Sequence, residues 1–149
     1  CGEELAYLQD SIQIRFNQYI RRNEEKQVEV WILPAFQPNG VAIYGAEYYF
    51  LFDEFGNEII QKESYYQQLK GFNVGEKREI WLDYSGVEKP TLGGVFFVMY
   101  YREYFTQINL DTQKSLSFLM ETDSGYSWIH VDKELKPKKK KKKRKKRKR

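Results

Sequence analysis

A chain of 149 residues, 41% of them apolar, fits one domain with appendages around a single hydrophobic core. The formal charge of +4 hides a split. Residues 136–149 hold 13 of the 25 basic residues and no acid, so twelve basic residues face all 21 acids in residues 1–135, a net of −9. An acidic body argues against a nucleic-acid-binding domain of the usual kind, whose basic patch sits on the fold. No run of 18 apolar residues is present, which excludes a transmembrane helix.

Along the chain, residues 1–11 form a short acidic leader. Ile12, Ile14 and Phe16 alternate with polar residues at the period of a half-buried strand, although residues 5–20 also admit a helix. Val28, Val30 and Ile32 mark a clearer strand, closed by Pro34 and the Pro38-Asn39-Gly40 loop. Residues 44–52 are aromatic and aliphatic. The acidic turn 53–57 follows, then residues 58–61, which predicts a hairpin whose turn uses Gly56 for a positive φ. Residues 62–70 fit a helical turn or a polar strand, and Gly71 and Gly75 bracket the next connection. Residues 78–84 form a strand with Ile80 and Leu82 on one face and Trp81 on the other. Residues 85–90 make a loop. Residues 95–105 are read as a central strand buried on both faces, with a helix as the rival, since Phe97, Tyr101 and Tyr104 share a helical face. Residues 116–120 and 126–131 complete the set, joined by an Asp123-Ser124-Gly125 turn.

The expected architecture is mostly β: a single antiparallel β-sandwich of about seven strands over residues 12–135. Residues 136–149 have no apolar group to bury, so they are expected to be a disordered polybasic tail.

Catalytic or metal chemistry finds little footing. One His and one Cys lie at opposite ends of the chain, which makes no zinc set. Asp53, Glu54, Asn57 and Glu58 would suit a hard cation but lack the alternating order of a calcium loop, and read as a solvated turn. His130 alternates in a strand and would need Cys1 folded back on it to make a nucleophile–base pair. No nucleophile elbow, phosphate loop, dinucleotide fingerprint or zinc-protease motif is present. The expectation is therefore a non-enzyme with no metal and no cofactor. The tyrosine clusters 48–50, 65–66 and 100–101 place one ring in the core and one outside. Protein docking, a plain strand surface and carbohydrate binding all remain open for the outside rings.

The two ends are the most marked features. Cys1-Gly2-Glu3-Glu4 resembles the mature start of a bacterial lipoprotein, a family in which the signal peptide is removed just before a cysteine that carries diacylglycerol. The resemblance implies lipidation at Cys1 and processing there. Acids soon after the cysteine, an aromatic-rich body with a Phe-Asp-Glu-Phe-Gly-Asn-Glu hairpin, and Asp10-Ser11-Ile12 are similar to surface lipoproteins of the Bacteroidota. In those proteins the last triplet is an O-glycosylation pattern, which implies Ser11 as a modification site. A sole, lipidated cysteine also leaves no disulfide in an oxidising envelope.

At the other end, Lys138, Lys139, Lys140, Lys141, Lys142, Lys143, Arg144, Lys145, Lys146, Arg147, Lys148 and Arg149 run without interruption. Such a run binds polyanions without reading sequence: lipid headgroups, lipopolysaccharide or nucleic acid. Together the ends point to a non-catalytic, lipid-anchored outer-membrane protein. Its expected role is accessory or docking subunit of a larger envelope assembly for secretion, export, gliding or uptake. The alternative is an intracellular nucleic-acid- or ribosome-associated protein acting through its tail.

Overall fold

A computed structural model describes residues 14–38 and 40–133. The leader with Cys1 and Ser11, Ile12 of the first expected strand, and the basic run from Lys138 to Arg149 all lie outside the described residues.

The chain is mostly β. Among the described residues strands make up 51% and one ten-residue helix is present, in packed sheets that are antiparallel apart from one parallel strand pair. Ten strands occur among the described residues, where about seven were expected. The first sheet has the order β1-β2-β4-β5, from β1 (Phe16–Arg22), β2 (Val28–Pro34), β4 (Tyr48–Phe52) and β5 (Ile59–Ser64). A two-stranded ribbon pairs β3 (Val41–Tyr44) with β6 (Lys70–Asn73). The second large sheet has the order β10-β9-β8-β7, from β7 (Glu79–Tyr84), β8 (Gln107–Thr112), β9 (Ser115–Thr122) and β10 (Gly125–Asp132).

The first strand starts later than its pattern suggested. Ile14 is buried but precedes β1, where Ala35 N–H donates to the Arg15 carbonyl (2.9 Å). Gln37 clamps the same point, giving its side-chain N–H to Arg15 O and accepting from Arg15 N–H (both 3.1 Å).

The aromatic run 44–52 is two elements. Gly45, at φ +88°, breaks it, so β3 joins the ribbon and β4 joins the first sheet. A Cβ at Gly45 would overlap the Gln68 carbonyl, so only glycine fits this close approach. The hairpin at 53–57 forms as expected: Gly56 has φ +76°, and Asp53 accepts the N–H groups of Asn57 (2.6 Å) and Glu58 (3.1 Å). The polar stretch after it continues β5 to Ser64, and Gly71 sits inside β6 rather than in a connection.

The largest correction concerns residues 95–105. They are not a central strand. They belong to a helix, α1 (Leu92–Tyr101), followed by a 3-10 turn, Arg102–Tyr104. The reason is topological. β7 and β8 pair in parallel, and parallel neighbours need a long crossover, normally a helix. The central strand is instead β8, whose Ile108, Asn109 and Leu110 are all buried. Its alternation of Ile108 and Leu110 with Gln107, Asn109 and Asp111 carried the strand signal.

The main core lies between α1, the ribbon and the inner face of the second sheet. It joins Ala42 and Tyr44, Ile80, Leu82 and Tyr84, Phe97, Val98 and Tyr101, and Ile108 and Leu110. Tyr44 is its hub, with ring centroids 5.7 Å from both Tyr84 and Phe97 and 5.9 Å from Phe72. Val30, Ile32, Ala46, Tyr48 and Phe50 form a second core on the first sheet.

Candidate functional site

A cleft of about 390 Å³ lies between the first sheet and the start of α1. Trp31, Leu33 and Tyr65 form one wall, and the 87–93 segment with Pro90 and Leu92 forms the other. Glu47 lies at its floor, only 2% exposed.

Glu47 follows directly from the break at Gly45, which turns the chain from the ribbon into β4. Its carboxylate accepts a hydrogen bond from the Tyr84 hydroxyl and another from Gly93 N–H (3.1 Å), with Thr91 also bonded to it. Burial pushes the carboxyl above its ordinary range, while Thr91, Tyr84 and Gly93 pull it back. Burial, then the charge of Glu47, holds the Tyr84 phenol far above its usual range. One carboxyl thus ties β4 to β7 and to the first turn of α1. Thr91 caps that turn, accepting from Gly94 N–H at 3.1 Å.

The glycine pair behind the cap has a packing cause. A Cβ on Gly93 would overlap the Glu47 carboxyl, and one on Gly94 would come within 2.6 Å of Leu110. Both glycines let the helix approach the sheet closely.

Both oxygens of Glu47 are engaged within the fold, and the Glu88 carboxylate at the rim is paired with Lys114 (2.5 Å). The cleft lining is aromatic and aliphatic with Glu88 and Lys89 at the rim. The Trp31 wall is held rigid: Trp31 packs on Tyr49 (5.1 Å), and Arg21 lies over its ring (5.2 Å) while paired to Glu29. Tyr65 donates to Glu63, which raises its phenol to about 12.

Leu92 belongs both to this cleft and to the outer face of α1. The helix Leu-Gly-Gly-Val-Phe-Phe-Val-Met-Tyr-Tyr contains no charged residue. Gly93, Gly94, Phe97, Val98 and Tyr101 face the core, while Leu92, Met99 and Tyr100 are 52%, 41% and 51% exposed. Phe96 stacks on Tyr100 (5.4 Å) and meets Tyr19 of β1 (5.7 Å). The cleft and the ridge form one apolar surface.

The residues singled out in the sequence fall elsewhere. His130 lies on β10 with Nδ1 2.8 Å from the Ser117 hydroxyl and Nε2 3.4 Å from Asp132. The set imitates a serine–histidine–acid array, but Ser117 is fully buried and its hydroxyl is closed to a substrate. Asp53, Glu54, Asn57 and Glu58 form a turn in which Asp53 serves backbone N–H groups, which hold its carboxyl below the usual range. No metal-binding group of three His, Cys, Asp or Glu occurs among the described residues. Glu47 carries no motif, yet it is the one charged residue between Val41 and Phe52. An acid alone in an apolar run is the signal that would have found it.

Comparison with known proteins found no matching family model, no similar curated protein and no similar solved structure.

Proposed function

We propose that this chain is a non-catalytic docking module, lipid-anchored through Cys1 at the outer membrane, that seats itself on a larger envelope assembly. The observation that carries the reading is the outer face of α1. A helix apolar on every side is normally enclosed, yet this one leaves Leu92, Met99 and Tyr100 about half open to solvent beside an aromatic-walled cleft. Aromatic and Met side chains around a pocket are the usual anchors of a protein interface. Cys1 with its acidic context supports the anchor, and the cationic run supports a second hold on anionic headgroups or lipopolysaccharide.

Two experiments in the native host test this. Cys1→Ser is expected to move the protein from the membrane to the soluble fraction when the basic run is also removed. Unchanged fractionation would remove the anchor from the reading. A photo-crosslinking residue at Tyr100 is expected to capture a subunit of a membrane assembly, and Leu92→Asp is expected to lose it. Capture of ribosomal or nucleic-acid-bound partners would favour the intracellular alternative.

A further inference from the structure

The second sheet ends on β10, and that edge is unusually open. Sheet edges invite pairing with another chain unless they carry lysine, arginine, proline, a bulge or a cover. The other edges of the two large sheets have such guards. β1 ends in Arg21 and Arg22. β5 carries Lys62, and its register shifts opposite Leu51 and Phe52. β7 meets the ribbon at its end, where Asp83 N–H donates to the Tyr44 hydroxyl (3.2 Å) and the Asp83 carboxylate pairs with Lys70 (2.6 Å). β10 has eight residues, no Lys, Arg or Pro, an unbroken register with β9 and no second neighbour among the described residues.

The phase of its backbone is fixed. Gly125 pairs with Thr122 across the two-residue turn, and Lys133 N–H donates to Lys114 O (2.7 Å) in the same register. The odd-numbered residues therefore bond to β9, and Tyr126, Trp128, His130 and Asp132 turn their N–H and C=O groups outward.

We propose that the occupant of this edge is a second copy of the chain, paired antiparallel about a two-fold axis at Ile129. The strand is self-complementary in that register. Trp128 faces the partner's His130, and Tyr126 faces the partner's Asp132, so the one formal charge of the strand meets a phenol and never its own copy. All four outward-facing residues find mates, giving about eight main-chain hydrogen bonds. The sheet face turned away from the main core gains continuity as well. Trp81, Asn109, Phe118 and Ile129 form one registered row across β7, β8, β9 and β10. The two-fold joins that row to its copy through an Ile129–Ile129 contact. This pairing is independent of the α1 docking surface.

The register makes the test specific. In a Cys1→Ser background, Ile129→Cys sits on the two-fold in a non-hydrogen-bonded pair, where Cα atoms come within disulfide range. Mild oxidation of the full chain is expected to give a disulfide dimer. Val131→Cys alone is expected to form no disulfide, and to cross-link only when mixed with Ser127→Cys. His130→Pro removes an outward N–H without breaking the β9 ladder. It is expected to abolish the concentration-dependent dimer in sedimentation while the melting curve shows a folded chain. A monomer at all concentrations, or equal cross-linking from Val131→Cys alone and Ile129→Cys, would overturn the proposal.

Discussion

At the scale of single residues, Glu47 is the group on which most of the fold converges. It reaches β7 through Tyr84 and α1 through Gly93 from its place before β4. Glu47→Ala leaves a buried phenol and a buried N–H without their partner, at about 1–3 kcal/mol each, and is expected to lower the melting temperature sharply. Glu47→Gln keeps the shape and removes the charge. Burial raises the folded-state value of this carboxyl above the ordinary 4.5. The native state therefore holds the proton more tightly than the unfolded chain. Its stabilising contribution is complete below the unfolded value and is lost as pH rises through the folded value. The melting temperature of Glu47→Gln relative to the wild type is accordingly expected to climb as pH rises above the ordinary 4.5. A difference that stays flat as pH rises would show that the carboxyl is not desolvated.

At the scale of elements, α1 has two faces of equal hydrophobicity and unequal importance. Phe97 packs 4.6 Å from Tyr101 and 5.7 Å from Tyr44, all three buried. Phe97→Ala is expected to cost about 3–5 kcal/mol in a denaturant titration. Met99→Lys changes an exposed position and is expected to stay within about 0.5 kcal/mol. If both substitutions cost the same, the outer face is packed rather than open, and the docking surface moves elsewhere. The same two-sidedness explains why this element was misread. A run that is apolar on all sides has neither the period of a half-buried strand nor that of an amphipathic helix. The deciding signals lay at its start, where Thr91 caps and the glycine pair gives close approach. Where one face only is buried, the pattern was plain: Ile80 and Leu82 against Trp81 placed β7 correctly, and the 53–57 turn placed β4 and β5. β8 is legible by alternation alone, but the longer apolar run 95–105 carries the stronger signal for the central position that β8 occupies. The cleft was not legible, because it joins Trp31, Glu47, Tyr65 and Leu92 from distant parts of the chain. Only the lone acid in an apolar run hinted at it.

At the scale of the whole molecule, the charge is divided so sharply that body and basic run can be tested apart. Residues 1–135 sum to −9, while the twelve residues from Lys138 to Arg149 are all cationic. Fully extended, they reach about 40 Å, enough to touch a surface that the acidic body is repelled from. None of them is an apolar residue that folding would bury. Deleting 138–149 is therefore expected to leave the melting temperature nearly unchanged. The same deletion is expected to abolish retention on heparin and on vesicles of anionic lipid, because what remains is net acidic. Binding by the full chain should weaken linearly in log–log form as salt rises, since each neutralised anionic group releases counterions. Near a membrane each cation adds up to ~1 kcal/mol, and only within a Debye length, about 8 Å at physiological salt. Neutral vesicles supply the control and should not bind the Cys1→Ser protein at all. A fall in melting temperature on deletion would mean that the cationic run packs against the acidic body as part of the fold. Heparin binding that survives both deletion and high salt would place recognition on the body itself, and the exposed ridge of Leu92, Met99 and Tyr100 would be the first surface to mutate.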